Sequence, residues 1–217
     1  MAINFIDQLD FLKNRLARMS ALVQQVVEQA VDAIGSCNHA LAEQTIAVDQ
    51  RVDNEEVEIE RLAINLLALH QPTAIDLRSI MTIIKANSDL ERIADCAVNC
   101  AQRVRPLALE HNYRAPADLK LMGSHVVNML RSTLKALNLG DENLAKEVVR
   151  SDDVVDALYA QIVQEMLNDM QGGDTEVNFG NIMMAKNLER IGDHCTNIAE
   201  DVIYVHTGLI IRHLHAI

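Results

Sequence analysis

The chain has 217 residues, a formal net charge of -12, and a composition that is 49% hydrophobic but only 3% aromatic. This length allows one large or two small domains, and the scarcity of aromatic residues, Gly and Pro favours long helices over a β-sandwich. The negative charge argues against nucleic acid and against anionic lipid as direct partners, because both attract positively charged surfaces.

Apolar residues at three- and four-residue spacing predict six long helices, and therefore an all-α fold. In chain order the predicted helices cover about residues 5–34, 41–70, 73–105, 117–139, 142–170 and 175–208. Pro72 separates the second helix from the third, because proline cannot continue a helix. The stretch from Pro106 to Pro116 loses the periodicity and is predicted to be a linker. Gly140 and Gly172-Gly173 mark the remaining breaks.

The last three predicted helices repeat features of the first three. Residues 90–99 read LERIADCAVN and residues 188–197 read LERIGDHCTN, which share six of ten residues at an offset of 98. An Asp-x-x-Val-Asp sequence begins at Asp49 and again at Asp152, at an offset of 103. We therefore predict two tandem, pseudo-symmetric three-helix bundles, formed by residues 1–108 and 109–217.

Each predicted unit carries two pairs of carboxylates with four-residue spacing, which stacks them on one helical face. The pairs are Asp49/Asp53 and Glu91/Asp95 in the first unit, and Asp152/Asp156 and Glu189/Asp193 in the second. Asn99 and Asn197 extend two of these rows by one turn. Like charges at this spacing repel each other, so the pattern favours cations bound against them. Carboxylate and amide oxygens suit hard metal ions such as Mg, Ca, Mn or Fe.

Competing interpretations exist for the same residues. Any single acidic pair would more commonly be a solvated surface, and it is the duplication that favours metal. Arg92 and Arg190 follow the glutamates directly, and by themselves they are expected to form ion pairs with neighbouring carboxylates. Asp76 and Arg78 near the start of the third helix are expected to cap and pack, since Asp complements the helix dipole there.

No catalytic site is predicted. A di-iron carboxylate oxidase would place Glu-x-x-His on its helices, and no histidine in this sequence has a glutamate three positions earlier. The sequence also lacks a phosphate-binding Gly-rich loop, GxSxG and HExxH. We expect a protein that is not an enzyme and has no organic cofactor. The alternatives are a metalloenzyme of the carboxylate-bundle type, a metal buffer and a purely structural helical module.

The N-terminal residues show no secretory signal pattern, and no window approaches the apolar length of a membrane span. The four cysteines lack the spacing of a disulfide framework or a zinc site. A cytoplasmic location is therefore expected.

The repeated residues resemble those of the PhoU family. The resemblance rests on the Asp49-x-x-Val52-Asp53 helix, the sequence QPTAIDLR at residues 71–78, and the two LERI sequences with their following Asp and Asn. It implies two similar three-helix bundles in a cytoplasmic, homodimeric protein that is not an enzyme. It also implies action with the phosphate ABC transporter ATPase and a sensor histidine kinase, and negative regulation of phosphate uptake and phosphate-starvation genes.

The resemblance further implies metal ions (Fe, Mn, Mg, Ca or Zn) bound through the carboxylate pairs named above. The sequence departs from the family pattern at Cys96 and Val98, and it lacks a second QPxAxDLR sequence. Whether both units bind metal equally is left open by these departures.

Overall fold

The computed structural model describes residues 4–110, 113–169 and 174–208, apart from the side chain of His206. This part of the chain forms seven helices and no strand. The helices are α1 (Phe5–Ser36), α2 (His39–Ile46), α3 (Asp49–His70), α4 (Ala74–Leu107), α5 (Ala117–Leu139), α6 (Glu142–Asp169) and α7 (Thr175–Thr207). Six of them are long, with 22 to 34 residues each, as the sequence predicts.

The second predicted helix differs from expectation, because the structure divides it into α2 and α3. The side chain of Asn38 caps α2 by accepting a hydrogen bond from the backbone N–H of Leu41, at 3.1 Å. Ala47 and Val48 then form a turn. Neither is a glycine or a proline, so the sequence carried no signal for this break. The break places Asp49 in the first turn of α3, where the helix dipole favours a negative charge.

The other boundaries lie close to the predicted ones. α5 begins and ends at the predicted residues, and Gly140 ends it with a φ of 64°, a left-handed conformation that glycine adopts without strain. α4 continues to Leu107, with Pro106 inside its last turn. The predicted break at Gly172-Gly173 lies outside the described residues. No described helix combines the length and the hydropathy needed to cross a membrane.

The two units pack through their last helices, since α4 and α7 form the most extensive helix contact of the described chain. α1 and α3 pack on α4, and α5 and α6 pack on α7. Equivalent positions in the two units are buried alike: Val52 and Val155, Ile59 and Ile162, Leu90 and Leu188, Ile93 and Ile191. The fold is thus the predicted pair of tandem three-helix bundles. The exact division between residues 108 and 109 stays a prediction.

Polar contacts fix the two units against each other. Lys85 of α4 forms an ion pair with Asp201 of α7, with 3.0 Å between Nζ and Oδ1, and the Asp201 side chain is almost fully buried. Arg78 donates a hydrogen bond from Nε to the carbonyl oxygen of Val205, at 3.1 Å. That carbonyl lies in the last turn of α7, where helix carbonyls lack intrahelical partners. Arg78 therefore caps and packs, as predicted, although it caps a different helix.

Candidate metal centre

The first cluster of carboxylates lies between α3 and α4. Three residues, 71–73, connect these helices, and Gln71 turns the chain with a φ of 48°. So short a connection makes the helices antiparallel neighbours, which brings their acidic rows together. Oxygen atoms of Asp49, Asp53 and Asp95 lie within 4.8 Å of one another. This is the closest such group in the described residues.

Burial and mutual repulsion disfavour ionisation in this cluster. The pKa of Glu91 is raised by burial first, and then by the charges of Asp95, Glu56 and Asp53. The pKa of Asp49 is raised by burial and then by Asp53 and Asp95. A bound cation favours the charged form of a carboxylate. Cation binding would therefore offset the repulsion among these side chains.

The second cluster lies between α6 and α7 and consists of Asp152, Asp156, Glu189 and Asp193. The pKa of Asp152 is raised to about 6, by burial first and then by the charges of Asp156 and Asp193. The pKa of Asp193 is also raised, by burial and then by Glu189 and Asp156. The predicted carboxylates of each unit are therefore near enough to raise one another's pKa, but among the described residues only Asp49, Asp53 and Asp95 have oxygens within 4.8 Å of one another. The assignment of all eight as metal ligands stays a prediction.

The same atom lacks a hydrogen bond in both clusters. Oδ1 of Asp49 and Oδ1 of Asp152 are buried and have no hydrogen-bond partner, and these aspartates occupy equivalent positions in the repeat. Oγ1 of Thr196 on α7 is likewise buried and lowers the pKa of Asp152, so these two side chains face each other without a hydrogen bond of normal geometry. Buried polar atoms are normally satisfied. A cation coordinated by these oxygens would satisfy them, so the residues present fit a metal ion.

Gly192 makes room for Asp152. A Cβ atom at this position would lie 2.9 Å from Asp152 Oδ1, which is closer than such atoms normally approach. The equivalent residue in the first unit is Ala94. In the second unit, the space beside Asp152 thus favours glycine at the position between the LERI sequence and its aspartate.

Glu56 belongs to the first cluster and was missed in the sequence. Its pKa is raised by burial and then by Glu60 and Asp53, and its charge acts on Glu91 in turn. The available signal was its spacing, since positions 49, 53 and 56 follow the i, i+4, i+7 pattern of one helical face.

Lys186 belongs to the second cluster and was also missed. Its Nζ lies 2.8 Å from Oε1 and 2.6 Å from Oε2 of Glu189, so both oxygens accept hydrogen bonds from it. The same Nζ lies 5.3 Å from the ring centroid of Tyr159, within range of a cation–π contact. Its three-residue spacing from Glu189 was the sequence signal for this pair.

The predicted ion pairs of Arg92 and Arg190 are not formed. Within the described residues, neither guanidinium forms a hydrogen bond or an ion pair. Both line a shallow surface depression with Glu91, Asp95 and Asn99. The positive charges of both arginines lower the pKa of Asp95, against the larger effect of burial. They act on the cluster through space.

The two predicted asparagines lie in different surroundings. Asn99 is exposed at the edge of the first cluster. Nδ2 of Asn197 lies 3.5 Å from Oδ1 of Asp89, and Nδ1 of His194 lies 2.8 Å from the same oxygen. Asn197 therefore takes part in the contact between α4 and α7. The assignment of both asparagines as metal ligands stays a prediction.

Comparison with known proteins gives one consistent result. The family model of the PhoU domain matches residues 16–104 and 119–202. The chain belongs to the PhoU family. It is similar to the phosphate-specific transport system accessory protein PhoU homologs of Clostridium acetobutylicum, at 35% identity over 94% of each chain, and of Aquifex aeolicus, at 37% identity over 96% of this chain and 95% of that one.

Solved structures of the PhoU family share the fold. The crystal structure of the phosphate transport system regulatory protein PhoU from Streptococcus pneumoniae superposes with a TM-score of 0.89 at 28% identity, covering 95% of this chain and 99% of that one. The crystal structure of PhoU from Pseudomonas aeruginosa gives a TM-score of 0.88 at 34% identity, covering 95% and 100%. The PhoU resemblance inferred from the repeated residues is thereby confirmed.

Proposed function

We propose that this chain is an accessory and regulatory protein of phosphate transport that binds cations at the two carboxylate clusters. The names of its relatives, phosphate-specific transport system accessory proteins and a phosphate transport regulatory protein, support the first part. The observation that carries the second part is the unpartnered Oδ1 atom at equivalent aspartates in both units. The clusters would take hard divalent or trivalent ions, which oxygen ligands prefer.

The chain's own residues define what cation binding would do. Asp49 and Asp53 on α3 would be tied to Glu91 and Asp95 on α4, and the acids of α6 to those of α7. A bound cation supplies positive charge that offsets the mutual repulsion of these carboxylates. Each unit would then be held more rigidly, since the acidic rows come from different helices. No bond in a substrate is made or broken, so the proposed role is not enzymatic.

The proposed partners are the phosphate ABC transporter ATPase and a sensor histidine kinase. In this role the protein is a cytoplasmic homodimer that reaches the membrane only through its partners, and it represses both transport and phosphate-starvation genes when phosphate is abundant. Two rigid units joined through α4 and α7 would offer two similar surfaces to such partners. Neither cluster offers a site for free phosphate without metal, because the acidic side chains repel it.

A genetic experiment tests this proposal. Deletion of the gene should raise expression of a phosphate-starvation reporter in phosphate-rich medium, and the wild-type gene should restore repression. The double variant Asp95→Ala/Asp193→Ala should restore it poorly. The matched control Asp10→Ala/Glu147→Ala, which removes two exposed acids outside the clusters, should behave as wild type.

Two outcomes would contradict the proposal. A deletion that leaves the reporter unchanged would exclude the regulatory role and would favour a metal buffer or a structural module. A purified wild-type protein that carries no more metal than the Asp95→Ala/Asp193→Ala variant, after growth in metal-replete medium, would exclude the cation sites.

A further inference from the structure

The two clusters differ at two equivalent positions. At the offset of 98, Ser88 in the first unit corresponds to Lys186 in the second, and at the offset of 103, Glu56 corresponds to Tyr159. The first cluster thus gains a carboxylate from α3. The second cluster instead gains an ammonium from α7 and an aromatic ring from α6.

Lys186 lies at the edge of its cluster, with its side chain 42% exposed, and contacts the cluster on two sides. Its ammonium bonds both oxygens of Glu189, whose side chain is only 14% exposed, and it lies against the ring of Tyr159 on the neighbouring helix. The positive charge also acts on Asp156 and Asp193. Neither of these contacts can form in the first unit, because serine carries no charge and Glu56 carries no ring.

The charge of the two clusters follows from these differences. With all acids ionised, the first cluster has five negative charges, from Asp49, Asp53, Glu56, Glu91 and Asp95. The second has four acids and one ammonium, a net charge of three negative units. Arg92 and Arg190 also lie beside the first cluster and lower the pKa of Asp95, but neither forms an ion pair with its acids. The difference between the clusters therefore rests on the direct bond of Lys186 to Glu189 and not on net charge. A metal ion entering the second cluster would compete with Lys186 for the oxygens of Glu189.

We propose that Lys186 is an internal cation of the second cluster that competes with metal, so that the first cluster fills at lower metal concentration than the second. This inference rests on the proposed cation sites and adds an order of occupation to them. The protein would then exist in three states, with no cluster, one cluster or both clusters filled, across a range of metal concentration.

Titration of the chelator-treated full chain with Mn²⁺ tests the proposal, with free Mn²⁺ measured by electron paramagnetic resonance. The wild type should show two classes of site. In an Asp53→Asn/Asp95→Asn background, where only the second cluster remains, Lys186→Ser should raise the Mn²⁺ affinity by about fivefold, the upper range for a partly exposed ion pair. In the reciprocal Asp156→Asn/Asp193→Asn background, Ser88→Lys with Glu56→Tyr should lower the affinity of the first cluster by at least that factor.

Lys135→Ser is the matched control, because it removes an exposed lysine of the second unit away from the cluster. It should change the affinity less than twofold. An equal gain from Lys135→Ser and Lys186→Ser would assign the effect to overall charge and overturn the proposal. Unchanged affinity in Lys186→Ser would overturn it as well, while Mn²⁺ binding itself, and with it the proposed cation sites, would stand. No Mn²⁺ binding by any variant would instead refute the cation sites and the order of occupation together.

Discussion

Asp152 is half-buried, lies near other acids and has an Oδ1 atom without a hydrogen-bond partner. Its pKa is about 6 in the folded protein, against an ordinary value of 3.8. A group whose pKa is higher in the folded state takes up protons on folding between the two values. Ionised Asp152 therefore lowers the stability of the metal-free protein, an effect that is absent below about pH 4 and complete above about pH 6.

Asp152→Asn should remove this penalty. In urea unfolding of chelator-treated protein, the variant should gain stability relative to wild type as the pH rises from about 4 to about 6, with a constant difference above that. At saturating Mn²⁺ the wild type should be more stable than Asp152→Asn, because the wild type alone keeps the full ligand set. A stability difference that stays constant or shrinks over this pH range would contradict the assignment.

Gly192 is a second residue whose role depends on a single distance. Gly192→Ala would bring a methyl group to 2.9 Å from Asp152 Oδ1, so the carboxylate must rotate away. Because Asp152 would then sit in a displaced rotamer, Mn²⁺ binding to the second cluster should weaken about threefold to tenfold. Gly35→Ala in α1, where an added methyl meets no atom within 4 Å, is the control. It should leave Mn²⁺ binding unchanged and raise helix stability by roughly 0.5–1 kcal/mol.

At the scale of the helices, the sequence predicted most of the fold because the apolar periodicity is long and uninterrupted. Ile83, Leu90 and Ala97 of α4 are buried at a spacing of seven residues, in agreement with the apolar periodicity that predicted the helix. The turn at Ala47 and Val48 could not be predicted, because no residue there interrupts helix propensity locally. The two helices on either side of this turn, α2 and α3, both pack against α4.

The acidic rows were predictable because each lies on one helix at a regular spacing. Contacts between helices carried no such signal. Asp89 and His194 meet at 2.8 Å although they are 105 positions apart, and only the packing of α4 against α7 brings them together. For Arg92 and Arg190 the sequence suggested too much. Their position next to the glutamates predicted ion pairs, but the helix geometry does not form them.

The ion pair between Lys85 and Asp201 joins the last helices of the two units. Lys85→Met would leave the buried Asp201 carboxylate without this cation, and we expect a loss of about 3 kcal/mol in the free energy of unfolding. Urea denaturation measures it. Lys85→Met/Asp201→Leu should recover part of the loss, because no buried charge remains.

Arg105→Met is the matched control for that experiment. It breaks a half-exposed ion pair with Glu43, at 3.3 Å, and should cost less than about 1 kcal/mol. A loss from Lys85→Met no larger than that of Arg105→Met would show that the contact between α4 and α7 does not depend on the pair.

At the scale of the whole molecule, the net charge of -12 is unevenly distributed. Nine acids lie in two clusters, and their repulsion opposes folding when no cation is bound. Ligands that bind only the folded state stabilise it by mass action, by about 2.7 kcal/mol at a hundredfold excess over Kd. Mn²⁺ should therefore raise the melting temperature of the wild type but hardly that of Asp95→Ala/Asp193→Ala. An equal rise in both proteins, or the same rise with NaCl at matched ionic strength, would indicate screening of surface charge.

Cation binding by both units through their repeated carboxylates can be observed directly. Its most direct test is the anomalous difference map of a crystal of the full chain soaked in Mn²⁺. We expect a peak between α3 and α4 within coordination distance of Asp49 Oδ1, and a second peak between α6 and α7 beside Asp152 Oδ1 that appears at higher Mn²⁺ concentration. A map at saturating Mn²⁺ that lacks a peak at one or both clusters would contradict this expectation.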